Sequence, residues 1–186
     1  VAIGYLHEEQ DDADEVIALI QAAGRTAVAL PGDIRTEAFC QQLVADAVAG
    51  LGGLDILVNN AAFQHTVPTI EALDTEQFDR TFKTNVYAPF WITKAALPHM
   101  GPGSSIINTT SIQASKPSKN LLDYAMTKAA IANFTGGLAA QVAAKGIRVN
   151  AVAPGPYWTA LQPSGGQAQE SERKFGEGRR LGRPGQ

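Results

Sequence analysis

Cysteine is nearly absent from this 186-residue chain: Cys40 stands alone. No internal disulfide can form, and without zinc-type spacing the residue reads as a small buried side chain in a reducing compartment. Basic residues are not in excess either. Fifteen Lys and Arg against 18 Asp and Glu leave a net charge of −3, which offers no attractive field to nucleic acid or to an anionic membrane surface. Aromatic residues make up 7%, too few for a base-stacking platform. No apolar run reaches the roughly 18 residues of a membrane-crossing helix. The opening VAIGYLHEEQ has neither the basic start nor the small-residue cleavage site of a signal peptide. The cytoplasm is the expected location, with no nucleic acid and no membrane as partner. The three histidines, His7, His65 and His99, are dispersed and leave no metal-ligand spacing. An initiator Met is also lacking, and the chain starts directly on an apolar run, as a piece of a longer protein would.

What is present is an ordinary globular composition, 45% hydrophobic and 18% charged, of a length that suits one domain over 1–186. Short continuous apolar runs at 1–6, 26–30, 54–58, 104–110 and 147–152 read as strands. Helical patterns at 37–50, 76–85, 86–98 and 122–145, and an acidic-headed one ending at Gly24, separate them. Strands without period-two alternation, interleaved with helices, predict an α/β fold with a doubly wound parallel sheet covered by helices on both faces. From Ser164 onward apolar anchors thin out, and 156–180 reads as a flap on the substrate side.

Within the longest helical pattern, Tyr124 and Lys128 are four residues apart and so share one face. An ammonium beside a phenol favours the phenolate and lowers the tyrosine pKa from about 10 towards neutrality. Alone, that pair is a common coincidence. Ligand sites of open parallel α/β sheets lie beyond the carboxyl ends of the strands, and the polar candidates collect there. Asp33 follows the second strand, Asn59 and Asn60 the third, Ser111 the fourth and Pro154-Gly155 the fifth, while Tyr124 opens the next helix.

Asn59-Asn60-Ala61-Ala62, Asn85, Ser111, Tyr124-x-x-x-Lys128 and Pro154-Gly155 together resemble the short-chain dehydrogenase/reductase family, a Rossmann-like fold, over essentially the whole chain. Within it the wording DILVNNAA, SIQAS and LLDYAMTKAA is similar to bacterial aldehyde reductases and glucose-dehydrogenase-like or general-stress oxidoreductases. The resemblance implies hydride transfer between NAD(P), with a slight lean to NADP, and a carbonyl or alcohol substrate. Tyr124 would be the general acid/base and Lys128 the group that lowers its pKa and binds the nicotinamide ribose. Ser111 would hold the substrate oxygen, and Asn85 would anchor a water linking Lys128 to solvent. Asp33 with Ile34 would meet the adenine, Asn59, Ala61 and Ala62 would let the strand end approach the cofactor, and Pro154, Gly155 and Thr159 would meet the nicotinamide end. Gln113 is a substrate-pocket candidate or a solvated loop residue. No metal is implied. Dimers or tetramers are implied, and Ala125, Ala129, Ala132, Gly136 and Gly137 give the long helix a small-residue surface for such contacts.

The family's glycine-rich turn, Gly-x-x-x-Gly-x-Gly, does not occur in the sequence. That turn and the strand before it hold the pyrophosphate. Val1 to Leu6 therefore matches the family's second strand, so a slot between the first and third predicted strands is expected to be empty or closed by direct pairing. The final helix and strand are likewise not matched, and weak dinucleotide binding with little turnover is expected of the chain by itself. A non-catalytic Rossmann-like binding or regulatory domain is the alternative from a different class, and a lyase or epimerase sharing Tyr-x-x-x-Lys is a third.

Overall fold

The computed structural model describes residues 1–165, 175–177 and 182–185. Five parallel strands form, but in two separate sheets. β1 (Ala2–Tyr5) pairs with β2 (Val28–Pro31), and β3 (Ile56–Asn59), β4 (Ser105–Thr109) and β5 (Arg148–Val152) make the second sheet in the order β3-β4-β5. The slot expected between β1 and β3 is present and open. It is a cavity of about 950 Å³ walled by Ala2 to Gly4 on one edge, Ile56 to Asn59 on the other, and Val44, Ala47, Pro89 and Ile92 on the floor. One feature corrects the expectation of strands buried on both faces: Ile56 is 63% and Val58 53% exposed, because they alternate with Leu57, which packs on the core, and face the side of β3 away from that core.

Helices α1 (Gln10–Ala22), α2 (Glu37–Leu51), α3 (Thr75–Phe82), α4 (Ala88–Ala96) and α5 (Leu122–Val142) connect the strands, and a short α6 (Leu161–Ser164) follows β5. Local chemistry sets their ends. The Thr36 hydroxyl accepts from Phe39 N–H at the start of α2, and the Asp74 carboxyl from Gln77 N–H at the start of α3, satisfying first-turn donors that have no helical partner. Gly146 stops the region after α5 at φ 70°, a left-handed conformation open to glycine at little cost. Gly32 at φ 156° follows β2 with its α-carbon against the Phe39 ring, where any Cβ would collide.

The helix expected up to residue 85 and the one expected from 86 join through a single π turn, Lys83–Tyr87, with Asn85 at its centre. Such a turn inserts one residue into the helical ladder and is frequent at functional sites. The main core gathers Cys40 and Val44 of α2, Ala88, Ile92 and Ala96 of α4, Leu138 and Val142 of α5, and Ile106 and Val149 of the larger sheet. This packing holds α4 and α5 against one face of β3-β4-β5, so that the carboxyl ends of the strands and the first turn of α5 share one side. About half of the expected flap, 166–174 and 178–180, lies outside the described residues.

Candidate functional site

Ser111 leaves β4 in extended conformation and starts a 3-10 turn, its hydroxyl accepting from Gln113 N–H at 3.2 Å. It also acts on the Tyr124 phenol, which it holds down against the rise that burial causes. The strand-end cap and the catalytic candidate are thus one side chain in two roles. Tyr124 stands in the first turn of α5, 7% exposed, and Lys128 one turn later is 3% exposed. The structure therefore brings Ser111, Tyr124 and Lys128 together as the sequence predicted.

The electrostatics differ from the expectation. Burial pushes the Tyr124 phenol above its ordinary value, and Ser111 opposes that rise. Lys128 does not lower it here. Its Nζ donates to the Thr109 carbonyl oxygen at 2.8 Å and stands 5.4 Å from the centre of the Tyr124 ring. Burial also brings the ammonium itself down, to about 8, because the charged form loses solvation. An ammonium has three donors, and one is committed to Thr109, which leaves two aimed at other acceptors such as a pair of ribose hydroxyls.

Asn85 is 2% exposed and has a different employment from the expected water. Its Oδ1 accepts from Phe63 N–H at 2.7 Å, and its Nδ2 donates to the Phe63 carbonyl at 2.8 Å and to Thr127 Oγ1 at 3.0 Å. Thr127 in turn donates to the Tyr124 carbonyl at 2.6 Å. The π turn thereby ties the loop after β3 to the turn carrying Tyr124.

On the cofactor side, a cavity of about 850 Å³ is lined by Asp33, Ile34, Ala61 and Ala62 together with the ends of β1 and β2. Ala61 also borders the slot. Asp33 is not presented free. Both of its oxygens accept from Arg35, Oδ2 from Nε at 2.7 Å and Oδ1 from the backbone N–H at 2.9 Å, and the guanidinium holds the carboxyl below its usual value. Asn59 turns its side chain inward: Nδ2 donates to Asn108 Oδ1 at 2.8 Å and to Thr93 Oγ1 at 3.1 Å. Only its backbone faces the strand end. Gln113 braces its own loop, Oε1 accepting from Ser118 N–H at 2.7 Å. Pro154 accepts from Ile112 N–H at 3.1 Å beside Ser111, with Gly155 next to it. Thr159 is exposed and its carbonyl accepts from Gln162 N–H, at the entry to α6.

Several residues that build the site went unread in the sequence: Thr127, Thr110, Asn108 and Asp123. Thr110 Oγ1 donates to the Lys128 carbonyl at 2.7 Å, and Asn108 Nδ2 to Thr135 Oγ1 at 2.9 Å. A signal existed for Thr127, three residues past Tyr124, since a helical threonine commonly bonds a carbonyl one turn back. The others act across elements and leave no local trace.

The comparisons with known proteins agree with this geometry. A family model described as enoyl-(acyl carrier protein) reductase matches residues 1–186. An uncharacterised oxidoreductase of Bacillus subtilis (strain 168) is 57% identical over 178 residues, 96% of this chain and 60% of the relative. The chloroplastic NADPH-dependent aldehyde reductase 1 of Arabidopsis thaliana is 43% identical over 191 residues, 100% of this chain and 66% of the relative. The chain thus spans about three-fifths to two-thirds of the length of these curated relatives. A short-chain dehydrogenase from Burkholderia cenocepacia J2315, solved in complex with NADP, superposes with a TM-score of 0.88 at 33% identity, covering 100% of this chain and 74% of that one. With its α/β Rossmann-like fold and these matches, the chain belongs to the short-chain dehydrogenase/reductase family.

Proposed function

We propose that the protein is an NAD(P)-dependent oxidoreductase, preferring NADP, that interconverts a carbonyl compound and its alcohol, with aldehydes as the first class to test. The observation that carries this reading is the buried Ser111–Tyr124–Lys128 cluster at the carboxyl end of β4. The NADP-bound structural neighbour and the NADPH-dependent aldehyde reductase relative support the cofactor and the substrate class.

The donor set fits a nicotinamide nucleotide. Lys128 has two uncommitted donors for ribose hydroxyls, and the small Ala61 and Ala62 leave room beside the strand ends. When bound, the nicotinamide supplies or accepts the hydride at C4. Tyr124 gives its phenolic proton to the carbonyl oxygen in reduction and takes it back in oxidation. At neutral pH the phenol, raised by burial, is protonated and holds the proton that reduction consumes. Ser111 donates to the same substrate oxygen, where negative charge develops. Lys128 would hold the ribose hydroxyls with its two remaining donors while its bond to the Thr109 carbonyl stays in place. Asn85 orients this turn through Thr127 and is not assigned a water.

Self-association through α4 and α5 is part of the proposal. Phe90 and Met126 expose apolar surface there, and Ala129, Ala132, Gly136 and Gly137 face outward on α5.

The test is Tyr124→Phe in the intact protein, assayed by NADPH oxidation with a panel of aldehydes, ketones and aldoses. Loss of turnover with NADPH binding retained supports the reading. Unchanged turnover removes Tyr124 as the acid/base, and NADPH binding with no turnover by the wild type across the panel leaves a dinucleotide-binding role.

A further inference from the structure

Asp123 immediately precedes Tyr124 and is fully buried, 0% exposed. Its Oδ2 accepts from Thr81 Oγ1 at 2.6 Å and from Gln77 Nε2 at 3.3 Å, while Oδ1 has no hydrogen-bond partner. Among the described residues no Lys, Arg or His pairs with it. Burying a carboxyl with one oxygen unpartnered costs stability, so its presence is not explained by what it adds to the core. Its contacts indicate another purpose. Thr81 and Gln77 lie on α3, and the same Gln77 Nε2 donates to the His65 carbonyl at 3.1 Å. Leu121, the residue that caps α5, makes no side-chain hydrogen bond to it, so no cap side chain fastens the first turn.

We infer that Asp123 is a positioning residue for Tyr124: through Thr81 and Gln77 it pins the first turn of α5 to α3 and fixes the azimuth at which the phenol meets Ser111. This rests on the reading of Tyr124 as the acid/base. The pin lies one helical turn before the Asn85–Thr127 tie on the same face of α5, and that tie reaches the Tyr124 carbonyl. The two together fasten the first two turns of α5 to the α3 side. A misplacement on the order of 1 Å at a reacting group can cost about 100-fold in rate.

The variants separate positioning from stability. Thr81→Val keeps the shape and removes the hydroxyl, Thr81→Ser keeps the hydroxyl, Asp123→Asn keeps an acceptor for Thr81, and Asp123→Ala removes the pin. Thr135→Val is the control, a comparable buried hydroxyl bonded to Asn108 instead. In the intact protein, Thr81→Val and Asp123→Ala are expected to lower kcat by about 10- to 100-fold with KM for NADPH within about twofold. Thr81→Ser, Asp123→Asn and Thr135→Val are expected to stay near wild type. The Tyr124 Cζ resonance in 13C-tyrosine-labelled protein, assigned by its loss in Tyr124→Phe, is expected to move in the two impaired variants and not in the other three. Rates and resonance that follow melting temperature across all five variants, or that stay at wild type in Thr81→Val and Asp123→Ala, overturn the inference. If Tyr124→Phe itself keeps full turnover, the acid/base reading is what fails.

Discussion

Lys128 Nζ donates to the Thr109 carbonyl at 2.8 Å while standing 5.4 Å from the Tyr124 ring centre. A cation held by a strand-end carbonyl, buried and with no carboxylate paired to it among the described residues, costs the fold stability. Burial lowers it from 10.5 to about 8. Between those values the unfolded chain carries a proton that the native chain does not, so stability rises with pH across the window; below about 8 both states are protonated and the full cost is present.

Lys128→Met therefore isolates this term. Wild type is expected to gain roughly 2 to 3 kcal/mol over Lys128→Met between pH 7 and pH 10, at 1.36 kcal/mol for each unit travelled above the native value. Paired urea melts at the two pH values measure it. A constant difference between the proteins contradicts the buried-ammonium account.

Ser111 lowers the Tyr124 phenol against the rise caused by burial. In Ser111→Ala the phenol is expected to titrate higher still. The basic limb of the rate profile for alcohol oxidation should move to higher pH, and kcat should fall on the order of 100- to 1,000-fold, as when one oxyanion-type donor is removed. A pH–rate profile of the variant decides this. A limb that does not move means Ser111 has no hold on the phenol.

Asn85 satisfies both backbone polar groups of Phe63 as well as Thr127. Asn85→Ala orphans the Phe63 N–H and C=O together, at about 1 to 3 kcal/mol each. Asn85→Asp can still accept from the N–H but has no donor for the carbonyl, so it is expected to lie between wild type and Ala in chemical denaturation. Equal losses for Asp and Ala would place the stabilising contact elsewhere.

These residues also show how far the sequence could be read. Tyr124, Lys128 and Ser111 were legible because chemistry and spacing coincide along one helix and one strand end, and the strand–helix alternation was legible because apolar runs and caps are local. The employment of Asn85 was not, because the Phe63 backbone it grips lies 22 residues away and pairs with it only after the π turn forms. Asp33 was read as free for adenine although Arg35 takes both its oxygens, a contact two residues away that turn geometry alone decides. Nor could spacing show that Lys128 would prefer a backbone carbonyl to the phenol. The open slot was half legible: the match to the family placed it, but whether β1 and β3 would close across it depended on packing.

That slot yields the last prediction. Ile56 is 63% exposed on the unpaired edge of β3, opposite β1 across about 950 Å³. If the slot is open in solution, Ile56→Lys replaces one solvent-facing side chain by another and should change stability by no more than about 0.5 kcal/mol. The same charge on an unpaired edge disfavours strand-to-strand association between molecules. If β1 and β3 instead pair directly, the edge N–H groups of β3 are hydrogen-bonded and should be protected from exchange. Amide hydrogen exchange distinguishes the two: rapid exchange along that edge means an open slot, and protection means a closed sheet.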